Sequence, residues 1–551
     1  MKRAFINGRC HIFDDAKTIA EAILTEDGRV VRFGNSDEIT AAAPDAEFVD
    51  LKGKTLMPGF NDSHMHFLHY GFYQTIVNLE ACRSKAEAME RIQAYIQDKK
   101  IPEGEWVEVI GWNNDNWSDS QNLIREDLDQ VSEVHPIYAM RICGHVAVLN
   151  RRAMKEIGLQ RSLPQPKDGY YEVDADGEPT GLISEMMPFV YSNMKEPSIE
   201  SIKAMLLRSC EDANRVGLTS VQTDDFDALP GRNFDRIIKA YRELIDEGKL
   251  SVRITEQCSL KDPERYDAFT DAGYAIGQGD EWFKLGLLKL YLDGSLGART
   301  AWLLEDYTDE NGTKGFSIYR DDADLFRLVE RAHLSGADVG MHCIGDGACD
   351  QGIRAIEAVT AKYPSFAHRH GLIHAQILNE DICRRMAENH IAAYIQPIFI
   401  EYDLHMAEDR VGSDRIRTSY NWRTMKDSGI ALGMGTDCPV ESCNPMWNLY
   451  AAVTRKDLEG KPEGGWYPDQ ALTLEEALEG YTKTAAYLSR DEKIKGTLEA
   501  GMLADMVVLE EDIYTCAPEH IKDIRVDLTI VGGEIKYKRD GTDLMPAQSH
   551  A

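Results

Sequence analysis

Leu56-Met57-Pro58-Gly59-Phe60-Asn61-Asp62-Ser63-His64-Met65-His66 reads as an apolar strand that ends in two histidines. Side chains alternate along a strand, so His64 and His66 point to one side and both imidazoles can reach a single cation. On its own the pair is equally a polar strand-end turn. Seven further apolar runs follow at intervals: 217–224, 251–258, 283–293, 337–343, 371–377, 391–397 and 430–437. Amphipathic stretches such as 322–335 and 379–389 separate several of them. Short buried strands alternating with helices predict an α/β fold, a (β/α)8 TIM barrel.

The interval between the first and second strands is far too long for one crossover helix. It predicts an inserted subdomain at about 95–205, with strand character at 106–111, 136–149 and 169–184. Because it leaves the C-terminal end of the first strand, it is expected over the barrel mouth. The two chain ends are β-rich: 19–33 is a hairpin pattern around Glu26-Asp27-Gly28-Arg29, and 504–509 and 526–537 are apolar strands. Residues 1–57 and 498–551 are therefore expected to form one composite β-sandwich, with the barrel at 58–497.

Other strand ends carry ligand-type residues. Lys289 stands in Leu285–Asp293 (LGLLKLYLD), His342 ends VGMH, His374 lies in LIHA, and Asp437 ends GMGTD. A lysine or aspartate in an apolar run is costly unless paired or metal-bound. Taken singly, each histidine is a satisfied core residue; six ligand-type residues at the strand ends of one barrel are not an accident. The insertion offers His145 in RICGHVAVL, as donor to a substrate oxyanion or as a turn-fixing hydrogen bond. It also offers Trp112, Asn113 and Trp117 in GWNNDNW, as a substrate wall or as a loop packed by tryptophans. Gln222, Asp293, Arg299 and Gln396 lie near strand ends, where they can orient substrate or ligands. His368 and His370 precede the sixth strand and belong to the opposite face; His69 is read as helical.

These motifs resemble the amidohydrolase superfamily over essentially the whole chain: His-x-His after strand one, lysine on strand four, histidines on strands five and six, aspartate on strand eight. Lys289-Leu290-Tyr291-Leu292-Asp293-Gly294-Ser295, Gly144-His145 and Gly177-Glu178-Pro179-Thr180-Gly181 are similar to the branch that includes N-substituted formamide deformylase. The resemblance implies two divalent metal ions, zinc being the first expectation. His64, His66 and Asp437 would hold one, His342 and His374 the other, and a CO2-derived carbamate on Lys289 would bridge them. An ammonium has no lone pair, whereas a carbamate offers two anionic oxygens. The implied activity is hydrolysis of a non-peptide carbon–nitrogen bond, in a small amide or N-formyl amine, by metal-activated hydroxide, with Asp437 as proton shuttle. A mononuclear deaminase lacks the strand-four lysine. An ester or lactone hydrolase, and a scaffold without activity, compete with this activity.

Composition fits this reading. The chain has 551 residues, 43% hydrophobic and 28% charged, and a formal charge of −32. Such an acidic chain is repelled by nucleic acid and by anionic membranes, which leaves a small molecule as the expected partner. No apolar run approaches the roughly 18 residues of a membrane span, and the start lacks a signal-peptide pattern. The 11 scattered cysteines read as reduced thiols, and the expected location is cytoplasmic. Apolar outer helices leave room for a homodimer.

Overall fold

The structure, a computed structural model, describes residues 1–143, 145–161, 163–166, 169–364 and 367–544. Gly144 of the Gly144-His145 motif and the last residues of the 498–551 segment lie outside that range. The chain divides into two compact units, one of 1–67, 209–225 and 241–551, the other of 68–208 and 226–240.

In the first unit eight parallel strands follow one another around a sheet in chain order. They are β1 (Phe60–Met65), β2 (Leu218–Thr223), β3 (Arg253–Ser259), β4 (Phe283–Tyr291), β5 (Val339–Cys343), β6 (Gly371–His374), β7 (Ala392–Ile395) and β8 (Leu432–Met434). The sheet closes into a (β/α)8 barrel where the Asp437 N–H donates to the His64 carbonyl (2.9 Å) and the His66 N–H to the Cys438 carbonyl (2.8 Å). Sequential parallel neighbours demand crossover connections, and amphipathic helices supply them. Helix Asp322–Leu334 is capped by Asp321, whose carboxylate accepts from the Ala323 N–H, and it buries Leu325, Leu328, Val329 and Ala332 at three- and four-residue spacing. Helix Glu380–Glu388 begins likewise under Asn379.

The run 56–66 is not one strand. Thr55–Pro58 pairs with Met506–Leu509 and with Arg9–Cys10, while Phe60–Met65 pairs with β2. Gly59 makes the break. A Cβ there would lie 2.2 Å from the Thr219 side chain, so only glycine lets the chain pass from one sheet to the other.

Strands from both chain ends thus share a six-stranded sheet, which faces a four-stranded sheet containing Lys2–Ile6, Ala22–Glu26, Arg29–Gly34 and Glu47–Asp50. Their common core includes Phe5, Ile23, Val30, Leu56, Met506, Val508, Leu528 and Ile530, all but fully buried. Neither end has enough apolar surface alone; together they make a β-sandwich. Arg253 of β3 joins sandwich and barrel by a bidentate bond to Asp505 at 2.6 and 3.1 Å.

The second unit is built on a six-stranded sheet in the order 170–173, 179–184, 146–149, 137–141, 107–112, 77–78. The runs 136–149 and 169–184 each fold back as antiparallel hairpins rather than single strands. Among the described residues no helix is long and apolar enough to cross a membrane.

Candidate metal centre

The C-terminal end of β1 meets that of β8 at unusually close range. A Cβ on Gly435 would stand 2.6 Å from the His64 backbone nitrogen and 2.8 Å from both the His64 carbonyl oxygen and Asp62 Oδ1. Asp62, fully buried below, accepts from the His64 N–H (3.0 Å), the Thr436 N–H (3.1 Å) and the Thr436 hydroxyl (2.7 Å), and so clamps the two strand ends together. Burial pushes the Asp62 carboxyl up to about 7 against these donors.

Above the clamp three ligand atoms converge. Asp437 Oδ1 lies 3.0 Å from His66 Nε2 and 3.2 Å from His64 Nε2. Among the described residues these three side chains form a group fit to hold one ion. Each imidazole is oriented from behind. His64 Nδ1 is 2.7 Å from Gln257 Oε1, and the Gln257 amide also donates to the Ser63 carbonyl at 3.0 Å. His66 Nδ1 is 2.7 Å from Asp224 Oδ1. With Nδ1 engaged by an acceptor behind it, each Nε2 faces Asp437, the side on which an ion would be held.

Lys289, with no exposed surface, points into the same place from β4. Its Nζ is 3.1 Å from His64 Nε2 and 3.4 Å from Asp224 Oδ2. Asp224 also accepts from the Tyr291 hydroxyl at 2.5 Å. Two more histidines complete the ring. His342 Nδ1 lies 3.0 Å from Asp293 Oδ1, and His374 Nδ1 lies 2.9 Å from Gln396 Oε1. Their ring centroids are 4.5 Å apart, and the His374 ring is 5.7 Å from that of His64. His374 and Asp437 are held at φ of 77° and 58°, left-handed conformations that cost of order 1–3 kcal/mol and persist where the surroundings impose them.

The charges are strongly coupled. Burial, and then the Lys289 ammonium, lower His64 to about 4. Burial acts the same way on His66, but the Asp224 and Asp437 carboxylates outweigh it and raise His66 to about 10. Asp437 is held well below the usual carboxylate range, because the bonds from His64 and His66 overcome its desolvation. Lys289 is lowered by burial, with Asp224 and Asp437 opposing.

All six ligand-type residues read from sequence therefore meet. Asp293 and Gln396 reach the site through histidines; Asp293 is further fixed by the N–H groups of Ile344, Gly345 and Trp302 at 3.1, 2.8 and 3.0 Å. The remaining residues lie elsewhere. Gln222 is buried with its amide on the Ala485 carbonyl (2.9 Å), lining a cavity with Lys284 and Asp338 at the starts of β4 and β5, away from the ligand ends. Arg299 is engaged by Asp309 and Glu310 at 2.9 and 3.1 Å. In the second unit Trp112 and Trp117 are core, 1% and 3% exposed, and the Trp112 indole donates to the Ala139 carbonyl; packing, not a substrate wall, is their role. Asn113 caps the short turn that follows it. His145 is exposed and 2.8 Å from Glu185. His370 packs at the start of β5, where its Nδ1 accepts from the Val339 N–H (3.1 Å). His69 stacks on Tyr73 within helix Phe67–Tyr73.

Sequence reasoning missed Asp224, Gln257 and Tyr291. Asp224 carried the signal used for Asp437, a carboxylate closing an apolar run. Gln257 and Tyr291 carried none.

The donor set fits divalent metal: buried imidazoles whose Nε2 atoms converge, an ionised carboxylate and a desolvated amine, with neutral or anionic acceptors behind them. Comparison with known proteins agrees. A family model described as amidohydrolase family matches residues 47–537. The YtcJ protein of Bacillus subtilis (strain 168) is 30% identical over 94% of this chain and 96% of its own. N-substituted formamide deformylase of Arthrobacter pascens is 26% identical over 98% of both. A metal-dependent hydrolase of Pyrococcus horikoshii OT3 superposes with a TM-score of 0.78 at 28% identity, covering 94% of this chain and 99% of that one.

Proposed function

Because the chain belongs to the amidohydrolase family, we propose that it hydrolyses small, non-peptide carbon–nitrogen bonds, of the amide or N-formyl amine class, with two divalent metal ions. The observation that carries this reading is the ring of four oriented histidines around Asp437 and the fully buried Lys289. His64, His66 and Asp437 would hold one ion; His342 and His374 the other; Lys289, as a carbamate, both. Zinc suits such donors. Bound there, the cations supply acidity to water and polarise a carbonyl oxygen.

The chain's own part is orientation and proton transfer. Gln257, Asp224, Asp293 and Gln396 fix the four imidazoles, so no reorganisation is needed at the moment of reaction. The Asp437 carboxylate, ionised at neutral pH, accepts a proton from the attacking water and returns it to the departing nitrogen. The N-formyl class rests on the Arthrobacter relative.

The test is metal content per chain by elemental analysis, for wild type and Lys289→Ala, with turnover of N-formyl amines, simple amides and esters. Two ions, falling to one or none in the variant, with amide turnover, is the expected result. One ion, unchanged by the variant, favours a mononuclear deaminase; ester turnover alone favours an esterase.

A further inference from the structure

Side chains alternate along the strand Arg9–His11. Cys10 enters the sandwich core, so Arg9 and His11 project from the opposite face of their sheet. There both line a cavity of about 370 Å³. The cavity shares no residue with the metal centre and lies wholly in the first unit.

The strand runs on into a tight turn that supplies part of the wall. Asp14 accepts from the Thr18 N–H (2.7 Å) and hydroxyl (2.6 Å), and the Ile12 N–H donates to the Thr18 carbonyl at 3.0 Å. Within this turn Phe13 is held at φ of 64°, a left-handed conformation rare for a bulky residue. Phe13 is part-buried and lines the cavity. A second ring of the wall, Tyr514, stacks on His11 with centroids 4.3 Å apart and planes 14° from parallel. His11 is 8% exposed, and its Nε2 has no hydrogen-bond partner. Buried polar nitrogens are ordinarily bonded. Burial, and then Arg9, lower the His11 pKa, so the ring is neutral and pairs with a donor or an acceptor according to its tautomer.

The charges of the wall are matched. Its three lysines and arginines each face a carboxylate: Arg9 meets Asp512 at 2.9 Å, Lys17 meets Glu475 at 2.7 Å and Lys483 meets Asp15 at 3.5 Å. An entering ion would compete with one of these partners; an uncharged molecule would not. Aromatic rings with a single unpartnered nitrogen among them suit a flat ring that carries a hydrogen-bonding atom, and a cavity of this size admits one or two fused rings.

We propose that this cavity is a second, non-catalytic binding site, for a small uncharged planar heterocycle whose ring nitrogen pairs with His11 Nε2. Phe13 and Tyr514 supply the apolar contact. The inference does not depend on the hydrolase reading.

Calorimetric titration of the metal-loaded full chain with indazole reads the site. Indazole offers an N–H and a lone pair on adjacent ring atoms, so it matches either tautomer of His11. Indene, of the same shape without nitrogen, and indazole-3-carboxylate, an anion, are the comparisons. Indazole is expected to bind saturably and at least tenfold tighter than either. His11→Phe, which keeps a ring against Tyr514, is expected to weaken indazole about tenfold and to leave indene unchanged. Phe13→Ala is expected to weaken both, and it carries the test if the unfolding midpoint shows that His11→Phe does not fold. Lys289→Ala, altered only at the metal centre, is expected to bind indazole as wild type does. No saturable binding in wild type, or equal binding of indene or of the anion, overturns the proposal. So does wild-type affinity in both His11→Phe and Phe13→Ala. Loss of binding in Lys289→Ala also overturns it, by placing indazole at the metal centre.

Discussion

Gly435→Ala tests whether the close meeting of β1 and β8 builds the metal centre. The added Cβ would sit 2.6 Å from the His64 nitrogen and 2.8 Å from the His64 carbonyl oxygen and Asp62 Oδ1. Ordinary contact begins near 3.4 Å, so the strand ends must part by about half an ångström or more. Two of the three obstructing atoms are backbone, and Asp62 is pinned by three donors, so no flexible side chain can yield. Overpacking of this kind costs about 1–3 kcal/mol, and loss of the bond from the Asp437 N–H to the His64 carbonyl adds about 1 kcal/mol. The functional cost is larger, because His64 and Asp437 lie on the two sides of the gap. Ligand sets tolerate displacements of about 0.5 Å, and disturbing their support weakens metal about 10- to 100-fold. The assay is metal affinity by competition with a chromogenic chelator, together with the unfolding midpoint of the metal-free protein. The variant is expected to be mildly less stable and to lose at least tenfold in affinity. Full stability and unchanged affinity would refute the claim that this contact sets ligand geometry.

Three further outcomes follow from other parts of the molecule. Asp224→Asn removes the charge behind His66 and beside Lys289, and is expected to weaken metal binding about 10- to 100-fold by the same chelator assay; wild-type affinity would show that Asp224 only packs. Glu108, which accepts from the Tyr191 hydroxyl at 3.0 Å, is raised by burial from 4.5 to about 7. Folded Glu108 keeps a proton that the unfolded chain has lost between those values, so stability falls as pH rises through that window, by about 3 kcal/mol at most. Glu108→Gln should therefore raise the denaturation midpoint of the second unit at pH 8 and leave it unchanged at pH 4; an equal shift at both would contradict the burial argument. His370 is lowered to about 3 by burial and then by His368. Its folded form refuses a proton that the unfolded chain takes below about 6.5, so stability is lost as pH falls from there toward 3, and nitrogen NMR should find its ring still neutral at pH 5.

What could be read from sequence, and what could not, divides along a physical line. The barrel and the six ligand-type residues were legible because apolar runs of strand length are conspicuous and a histidine, lysine or aspartate ending one is expensive. His64 and His66, two residues apart, fall on one side of a strand by alternation alone. The break at Gly59 was not legible: a glycine inside an apolar run becomes a hinge only because Thr219, far along the chain, crowds it. The tryptophans of GWNNDNW show the converse, since a ring that buries a large area serves a core as well as a pocket, and its local sequence does not say which.

The least legible part of the centre is the layer behind the ligands, and it is the part that makes them ligands. Gln396 drew notice only by standing next to a strand end, and nothing local marks Gln257, an ordinary polar residue on a strand, as an acceptor for a histidine. Yet without them His64 and His374 would be buried imidazoles with either nitrogen free to carry the proton. An acceptor at Nδ1 selects the tautomer, and the tautomer leaves Nε2 as the nitrogen able to ligate a cation. Gln257→Leu and Gln396→Leu should thus weaken metal without touching a single ligand. The loss should exceed that caused by a leucine at Gln222, whose amide serves only the Ala485 carbonyl. If all three losses are equal, general packing explains them and tautomer selection does not.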